Sequence, residues 1–201
     1  SLGEIKEYME NRSPERFMSM IDGKKRQIDE EIRRLKNMKR FILHEEESVR
    51  LAMNTALDEP RLVERDREYL LVSDISAGLE RKAAVEIAEH VRMQEKYNGA
   101  VGAVGSIYLG EDLERGIYDR CVKVYTRLDK KTVSHRVQNR PEGTYVELYS
   151  RGHLWNMEKS YRLITAFAGE RGIRLGKIWY EDLMLDELTV KAYEQYIAKV
   201  M

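Results

Sequence analysis

The feature that most constrains the fold is a helical segment that runs without interruption from about residue 14 to residue 54. Ser13 and Pro14 form a favourable helix start, with Ser13 as the N-cap. Apolar residues then recur every seven positions, at Ile21, Ile28, Leu35, Ile42 and Val49. This spacing predicts a seam along one helix about 60 Å long. Because a small domain cannot cover a helix of that length, we expect a dimeric coiled coil.

The second apolar line of this helix, four residues further along, is weaker. It contains Ile32 and Met53, but its other positions are charged: Lys25, Lys39 and Glu46. The stripe is therefore narrow, and packing of a solitary helix on the following domain is the alternative to a coiled coil.

The helical pattern ends at Asp58-Glu59-Pro60, since proline disfavours helical geometry in the residue before it. We therefore divide the chain into residues 1–58, which include the long helix, and residues 59–201, which form a second domain. Ser1 and Glu4 have the spacing of a capping box. Because a helix signature begins at once, we expect the chain to be part of a longer protein.

After Pro60, short β segments alternate with two amphipathic helices. The predicted order is strand, helix, strand, strand, and it occurs twice: 61–72, 79–97, 103–109 and 118–128, then 133–149, 154–171, 176–185 and 189–200. Weak self-similarity supports a repeat, with Tyr69 aligned to Tyr145 and Ile107-Tyr108 aligned to Trp179-Tyr180. Two helices over one face of an antiparallel sheet give an α+β fold. The opposite face, or the seam between the repeats, is left for a ligand.

Composition excludes several classes of protein. The chain has 201 residues, 42% of them apolar, which is enough to form a core. Its 35 Lys and Arg balance its 35 Asp and Glu, so it lacks the basic excess of a protein that coats nucleic acid. The sequence contains neither an apolar run of about 20 residues nor a signal peptide. We therefore expect a cytoplasmic protein without a membrane partner.

Catalytic and metal-binding motifs are sparse. The histidines are scattered and Cys121 is the single cysteine, so neither a zinc site nor a disulfide is expected. Gly99, Gly102 and Gly105 follow a helix rather than a strand, which indicates a flexible connection and not a phosphate-binding loop. The residues therefore indicate no cofactor, no metal and no catalytic centre.

The most informative segment is 177–185, where two carboxylates lie among large apolar residues. In a strand, Trp179 and Glu181 share one face, whereas Tyr180 and Asp182 share the other. A buried carboxylate without a cation is costly, so the acid that points inward is a candidate ligand-binding group. Periodicity alone leaves open which acid this is, and an acidic rim paired with Lys or Arg is the alternative.

Several motifs resemble the MerR family of transcription regulators. The end of that family's winged-helix DNA-binding domain, which a long dimerisation helix follows, is similar to residues 1–9 (SLGEIKEYM) and 13–16 (SPER). The second repeat of GyrI-like effector-binding domains is similar to residues 143–145 (GTY), Gly152 and Tyr161. The Y-E-x-Y-L-x-D strand of that domain resembles residues 180–186 (YEDLMLD).

The resemblance implies a dimerisation helix followed by a GyrI-like domain of two β-α-β-β repeats. In multidrug sensors of the BmrR type, a buried glutamate binds lipophilic cations, and the motif places it at Glu181. Leu183 departs from the motif, since it stands where the family has an aromatic residue. Position in the repeat and spacing after the glutamate suggest the aromatic walls of the pocket, which are Tyr69, Tyr145, Trp155, Trp179 and Tyr196.

The resemblance also implies the partners. These are a second copy of the chain, a small lipophilic cation as effector, and promoter DNA, which is contacted only by a winged-helix domain before Ser1 and distorted through the dimer arms. The implied role is sensing and not catalysis. Two alternatives stay open. One is a small-molecule hydrolase, because a glutamate beside Tyr and Trp could act as a general base. The other is a dimerisation module without a ligand.

Overall fold

A long helix precedes an α+β domain in the computed structural model, which describes Met9 and residues 12–76, 80–98, 102–128, 130–151 and 157–201. Helix α1 (Pro14–Asn54) has 41 residues and is therefore about 61 Å long. The Ser13 hydroxyl accepts a hydrogen bond from the backbone N–H of Arg16 at 3.2 Å, which caps the helix. Both ends of the helix lie where the sequence predicts them.

The domain after α1 contains one short 3₁₀ helix (Tyr193–Gln195) and eight strands in its described part. In chain order its other elements are β1 (Arg61–Arg65), β2 (Glu68–Asp74), α2 (Glu80–Asn98), β3 (Gly105–Leu109), α3 (Gly110–Glu114), β4 (Lys123–Leu128), β5 (Val137–Arg140), β6 (Gly143–Arg151), α4 (Glu158–Glu170), β7 (Ile178–Leu185) and β8 (Ile197–Val200).

These strands form one antiparallel sheet in the order β1-β6-β8-β7-β3-β4-β2-β5. Strands β1 and β2 stand near opposite ends of that order, yet only Asp66 and Arg67 separate them. Pro141 and Glu142 likewise join β5 to β6. Because two residues cannot span an open sheet, the sheet is curled and its two ends meet.

The sheet confirms the two predicted β-α-β-β repeats. The first is β2-α2-β3-β4, the second is β6-α4-β7-β8, and β3 pairs with β7 at the centre. The predicted residue alignment of the two repeats is wrong, because it matches Tyr69 with Tyr145 and these two residues lie on opposite faces of the sheet. A shift of one residue exchanges the faces of a strand, which is why weak sequence similarity did not fix the frame.

Several strand boundaries also differ from the prediction. The segment 61–72 is broken at residues 66–67, α3 occupies part of a predicted connection, and β4 begins only at Lys123. The last predicted strand, 189–200, is mostly a turn and a 3₁₀ helix, with β8 limited to Ile197–Val200. These short elements lack a clear period, and neighbouring strands decide where pairing begins.

The two faces of the sheet have different coverings. The face that we call the helix face carries Leu148 and Trp179 and packs against Ile164 of α4. Ser73 on the same face hydrogen-bonds His90 of α2 at 2.8 Å. The opposite face, which we call the arm face, carries Tyr149 and Met184 and packs against Ala52 of α1.

The buried residues of helix α1, which are Asn37, Ser48 and Ala52, all lie in its C-terminal half, and the helix packs on β7. The predicted seam is open in the single chain: Ile28 is 58% exposed, Leu35 51% and Ile42 57%, and Ile21 and Val49 are half-buried. Among the described helices, none combines the length and the apolarity that a membrane span requires.

Candidate functional site

Strand β7 lies near the middle of the sheet, between β8 and β3, and it places its two carboxylates on opposite faces. Glu181 lies on the helix face together with Trp179, and its paired residues in the neighbouring strands are Ser106 and Val200. Asp182 lies on the arm face. The structure thus answers the question that periodicity left open: Glu181 is the acid that faces the helices.

The carboxylate of Glu181 is enclosed, with only 4% of the residue exposed. The hydroxyl of Tyr108 donates a hydrogen bond to its Oε2 atom at 2.9 Å. Tyr108 is fully buried and stands opposite Trp179 in the pairing of β3 with β7. Within the described residues, no Lys, Arg or His lies within ion-pair distance of Glu181, so its negative charge has no protein counterion there.

Burial raises the pKa of Glu181 to about 7, and the negative charge of Asp182 adds to the rise, whereas the hydrogen bond from Tyr108 opposes it. Burial and the nearby Glu181 charge also raise the pKa of the Cys121 thiol to about 11. A carboxyl group with a pKa near neutrality is stabilised in its ionised form by any cation that enters the site. Cys121 stays a neutral packing residue.

Aromatic rings extend from Glu181 along the helix face. The ring centroids of Trp179 and Tyr161 are 5.4 Å apart, and those of Tyr161 and Tyr118 are 5.8 Å apart. Trp179 is buried, whereas Tyr161 and Tyr118 are partly exposed beside it. Aromatic faces near an anionic group are suited to a delocalised cation.

The structure brings Trp179 to Glu181, but it keeps three of the predicted pocket aromatics away from it. Tyr145 lies on the arm face and its hydroxyl donates to the backbone oxygen of Pro141. Tyr69 lies on β2, three strands from β7. Tyr196 precedes β8, and its hydroxyl donates to Glu187 at 3.2 Å. Trp155 lies outside the described residues.

Tyr108 is the site residue that sequence reasoning missed. The repeat alignment matched Tyr108 with Tyr180, which faces the other side of the sheet. A usable signal was present, since the central strands of two such repeats can pair with each other. Antiparallel pairing of 105–109 with 178–182 would have set Tyr108 opposite Trp179 and next to Glu181.

On the arm face, directly behind Glu181, Asp182 is the centre of a buried charge network. Lys199 Nζ lies 2.8 Å from its Oδ2 atom, Arg127 contacts the same oxygen, and the Tyr125 hydroxyl donates to Oδ1 at 2.6 Å. Burial alone would raise the pKa of Asp182, but the two cations hold it well below its usual range. His44 of α1 faces this network, and burial together with the Arg127 charge lowers its pKa.

The described residues contain no cluster of three or more His, Cys, Asp or Glu side chains arranged to hold a metal ion. Around Glu181, the helix face combines one carboxylate with the Tyr108 hydroxyl and the aromatic rings of Trp179 and Tyr161. A carboxylate beside aromatic rings can attract a positively charged group.

Comparisons with known proteins give one sequence relative and a shared fold. No family model matches the chain. The multidrug-efflux transporter 2 regulator of Bacillus subtilis (strain 168) is 27% identical over 203 aligned positions, which cover 100% of this chain and 73% of the relative. The cryo-EM structure of the EcmrR–DNA complex in EcmrR-RPo has a TM-score of 0.53 at 12% identity, and the match covers 100% of this chain and 75% of that chain.

The match to the Bacillus regulator extends over the whole chain, so it includes the long helix as well as the curled sheet. Both elements also occur in the order that the sequence motifs indicate. Sequence motifs and this relative together make the chain similar to MerR-family transcription regulators, and its long helix followed by a curled antiparallel sheet is consistent with a GyrI-like effector-binding domain.

Proposed function

We propose that this domain senses a lipophilic organic cation, which binds at Glu181, and that α1 transmits the response to a second copy of the chain and to promoter DNA. One observation carries the proposal. Glu181 as a residue is only 4% exposed, and the one described hydrogen bond to its carboxylate comes from the neutral Tyr108 hydroxyl. A buried acid without a counterion is costly to the fold, and a cationic ligand removes that cost.

The surroundings of Glu181 select for the type of cation. A small, strongly hydrated ion would lose its water shell on entering among aromatic rings, whereas a large delocalised cation has little hydration to lose. Each ring beside the cation adds about 0.5–2 kcal/mol of attraction. Selectivity in such a site follows charge and bulk more than exact shape, which suits a sensor of several related compounds.

Strand β7 offers a short route from the ligand to the arm. Glu181 and Asp182 are adjacent, and Asp182 belongs to the network that His44 of α1 faces. Helix α1 also packs directly on β7 near its C-terminal end. A ligand that shifts β7 by a small amount would therefore shift α1, and the exposed seam at Ile28 and Leu35 would carry this shift into a dimer.

The Bacillus relative supports this assignment, because it is a regulator of a multidrug-efflux transporter and matches the chain along its whole length. By extension, we propose that this chain regulates a response to toxic lipophilic compounds. The contact with DNA would be made by the winged-helix part that the sequence motifs place before Ser1, and the dimer arms would distort the promoter.

The direct test is calorimetric titration with tetraphenylphosphonium and with neutral triphenylphosphine oxide, which has a similar aromatic bulk. We expect saturable binding of the cation and at least tenfold weaker binding of the neutral compound. Glu181→Gln should weaken cation binding by at least tenfold, which corresponds to about 1.4 kcal/mol. The matched control is Glu158→Gln, which removes an exposed carboxylate paired with Arg162. Equal cation affinity in Glu181→Gln and the wild type would refute the assignment.

A hydrolase is the second candidate function, and the same carboxyl group is the reason. A glutamate whose pKa is about 7 can accept a proton at neutral pH, and Tyr108 donates a hydrogen bond to it at 2.9 Å. Release of nitrophenol from small aryl esters, abolished by Glu181→Gln, would favour this function. Cation binding without ester turnover would favour the sensor.

A further inference from the structure

A second cavity, separate from the helix-face site, opens where β6 and β7 begin. Its volume is about 590 Å³, which lies within the range of small-molecule binding sites. The residues that line it are mostly apolar and come from β6, α4, β7 and the segment between α4 and β7. Those that form its apolar wall include Val146, Ile164, Leu175, Trp179 and Met201.

Two cations lie at the rim of this cavity. Arg174 and Lys177 are exposed, and among the described residues neither lies within ion-pair distance of a carboxylate. The carboxylate on the opposite rim, Glu142, already faces Arg67 at 3.7 Å. The rim therefore has an excess of positive charge that no described protein group neutralises.

The segment that carries these cations is held in place by its backbone. The N–H of Ile173 donates to the carbonyl of Ala168 at 2.9 Å, and the N–H of Gly110 donates to the carbonyl of Lys177 at 2.7 Å. Both ends of the segment are thus tied to neighbouring helices. The two cations stay next to the apolar wall, and a ligand would not have to order the backbone first.

We propose that this cavity is a second ligand site that binds a lipophilic organic anion, such as an aryl or alkyl carboxylate. The apolar body of the ligand would lie on Trp179 and Leu175, and its carboxylate would lie between Arg174 and Lys177. Such an anion is excluded from the helix-face site, where the Glu181 charge would repel it. Trp179 lines this cavity and also lies on the same sheet face as Glu181, so the two proposed sites are neighbours.

The test uses three naphthalene compounds that differ in charge: 2-naphthoate, neutral 2-naphthamide and 2-naphthyltrimethylammonium. Calorimetric titration should give saturable binding of naphthoate and at least tenfold weaker binding of the amide. Naphthoate affinity should fall as sodium chloride is raised from 50 to 500 mM, roughly in line with the screening of exposed charges. The double variant Arg174→Gln/Lys177→Gln should weaken naphthoate binding at least tenfold.

Two further variants separate this site from surface charge in general. Arg162→Gln/Arg171→Gln removes one cation of α4 and one directly after it, which already face Glu158 and Glu170, and it should leave naphthoate affinity unchanged. A Cβ atom at Gly176 would meet no other atom within 4 Å, so we expect Gly176→Leu to fold and to fill part of the cavity. It should weaken binding of naphthoate and of the amide alike.

The inference is independent of the proposed function, because Glu181→Gln should leave naphthoate binding intact. Loss of naphthoate binding in Glu181→Gln, with full binding in Arg174→Gln/Lys177→Gln, would assign the anion to the helix-face site and overturn the inference. An equal loss in the α4 control variant, or no saturable naphthoate binding, would overturn it as well.

Discussion

Glu181 and Asp182 are consecutive residues of β7 whose carboxylates lie on opposite faces of the sheet and have pKa values shifted in opposite directions. Burial raises the pKa of Glu181, which no described cation approaches. Asp182 is also buried, but Lys199 and Arg127 hold its pKa low. The same strand therefore carries Glu181, which lacks a counterion, and Asp182, whose charge is neutralised by its neighbours. Of these two carboxylates, only that of Glu181 can form an ion pair with a ligand.

The affinity for a permanently charged cation should rise with pH. Below a pKa of about 7, Glu181 is mostly protonated, so a cation must displace a proton in order to bind. The affinity should therefore fall by up to about tenfold for each pH unit below that value and level off above it. Titration of tetraphenylphosphonium between pH 5.5 and pH 8.5 measures this profile. Glu181→Gln should give a flat profile, and a flat profile in the wild type would contradict the prediction.

Glu181 should also lower the stability of the empty protein as pH rises. Its folded pKa of about 7 lies above its ordinary value of 4.5, so the folded state holds the proton more tightly than the unfolded state does. The cost of burying the charge is absent below about pH 4.5 and complete above about pH 7. Glu181→Gln should consequently gain stability over the wild type at pH 8 but not at pH 4.5, as measured by urea unfolding at both values. An identical difference at both pH values would show that the charge is not responsible.

The Tyr108 hydroxyl should tune the ionisation of Glu181. Its hydrogen bond to Oε2 is the one described interaction that lowers the pKa of this acid. Tyr108→Phe should therefore move the pH profile of cation binding to higher pH and weaken binding severalfold at pH 7, with recovery at pH 9. A merely structural loss would lower affinity equally at every pH. Tyr161→Phe is the matched control, since its ring belongs to the same aromatic row and the profile should not move.

Much of this architecture could be predicted from the sequence. The start of α1 follows from the N-cap and proline pair, which is a local rule of backbone geometry, whereas Pro60 sets only a limit that the helix cannot pass, since α1 already ends at Asn54. The two β-α-β-β repeats follow from amphipathic periods of helices and strands. The apolar strand pattern singled out the pair Glu181 and Asp182, and the resemblance to the GyrI-like strand motif then named Glu181.

The positions of the aromatic residues could not be predicted in the same way. Tyr145 and Glu147 lie on the arm face, whereas Val146 between them lies on the helix face, so an error of one residue in the repeat exchanges every assignment. Tyr108 reaches Glu181 only through pairing of two strands that are 73 residues apart in sequence. The repeat suggests that these two strands pair, but their register is set by the packing of the whole sheet and leaves no local pattern.

Breaking the Asp182 network should destabilise the domain strongly. Asp182→Asn would leave Lys199 and Arg127 without the carboxylate that they share, and Lys199 is only 7% exposed. Loss of one member of a buried ion pair typically costs about 3–5 kcal/mol. Urea unfolding at pH 7 measures the loss. Glu158→Gln, which breaks the exposed pair with Arg162, should cost less than about 1 kcal/mol. A loss in Asp182→Asn no greater than in this control would show that solvent shields the network.

Because the folded pKa of Asp182 is depressed, its stabilising contribution is present above the unfolded value of about 3.8 and is lost as pH falls below it. The loss of unfolding free energy in Asp182→Asn, relative to the wild type, should therefore be largest at pH 7. It should become smaller as the pH of both proteins is lowered. A deficit that is unchanged at pH 3 would assign the effect to packing and not to charge.

The exposed seam of α1 should hold two copies of the chain together. Ile28 and Leu35 are more than half exposed in the single chain and lie one heptad apart, so a second helix would bury both. The double variant Ile28→Asn/Leu35→Asn should therefore sediment as a monomer at concentrations where the wild type is a dimer. Each asparagine leaves a polar group inside the seam in place of a buried aliphatic side chain.

The matched control for the seam is Leu43→Asn, which replaces an apolar residue of the same helix that is 51% exposed and lies on neither apolar line. It should leave the dimer intact. The sheet domain should fold normally in all three proteins, as judged by its urea unfolding transition, because the buried residues of α1 are Asn37, Ser48 and Ala52, whereas the substituted positions are exposed. An unchanged dimer in the double variant would place the interface elsewhere. Dissociation by both variants would mean that any loss of apolar surface on the arm weakens association, and that the heptad line does not define the contact.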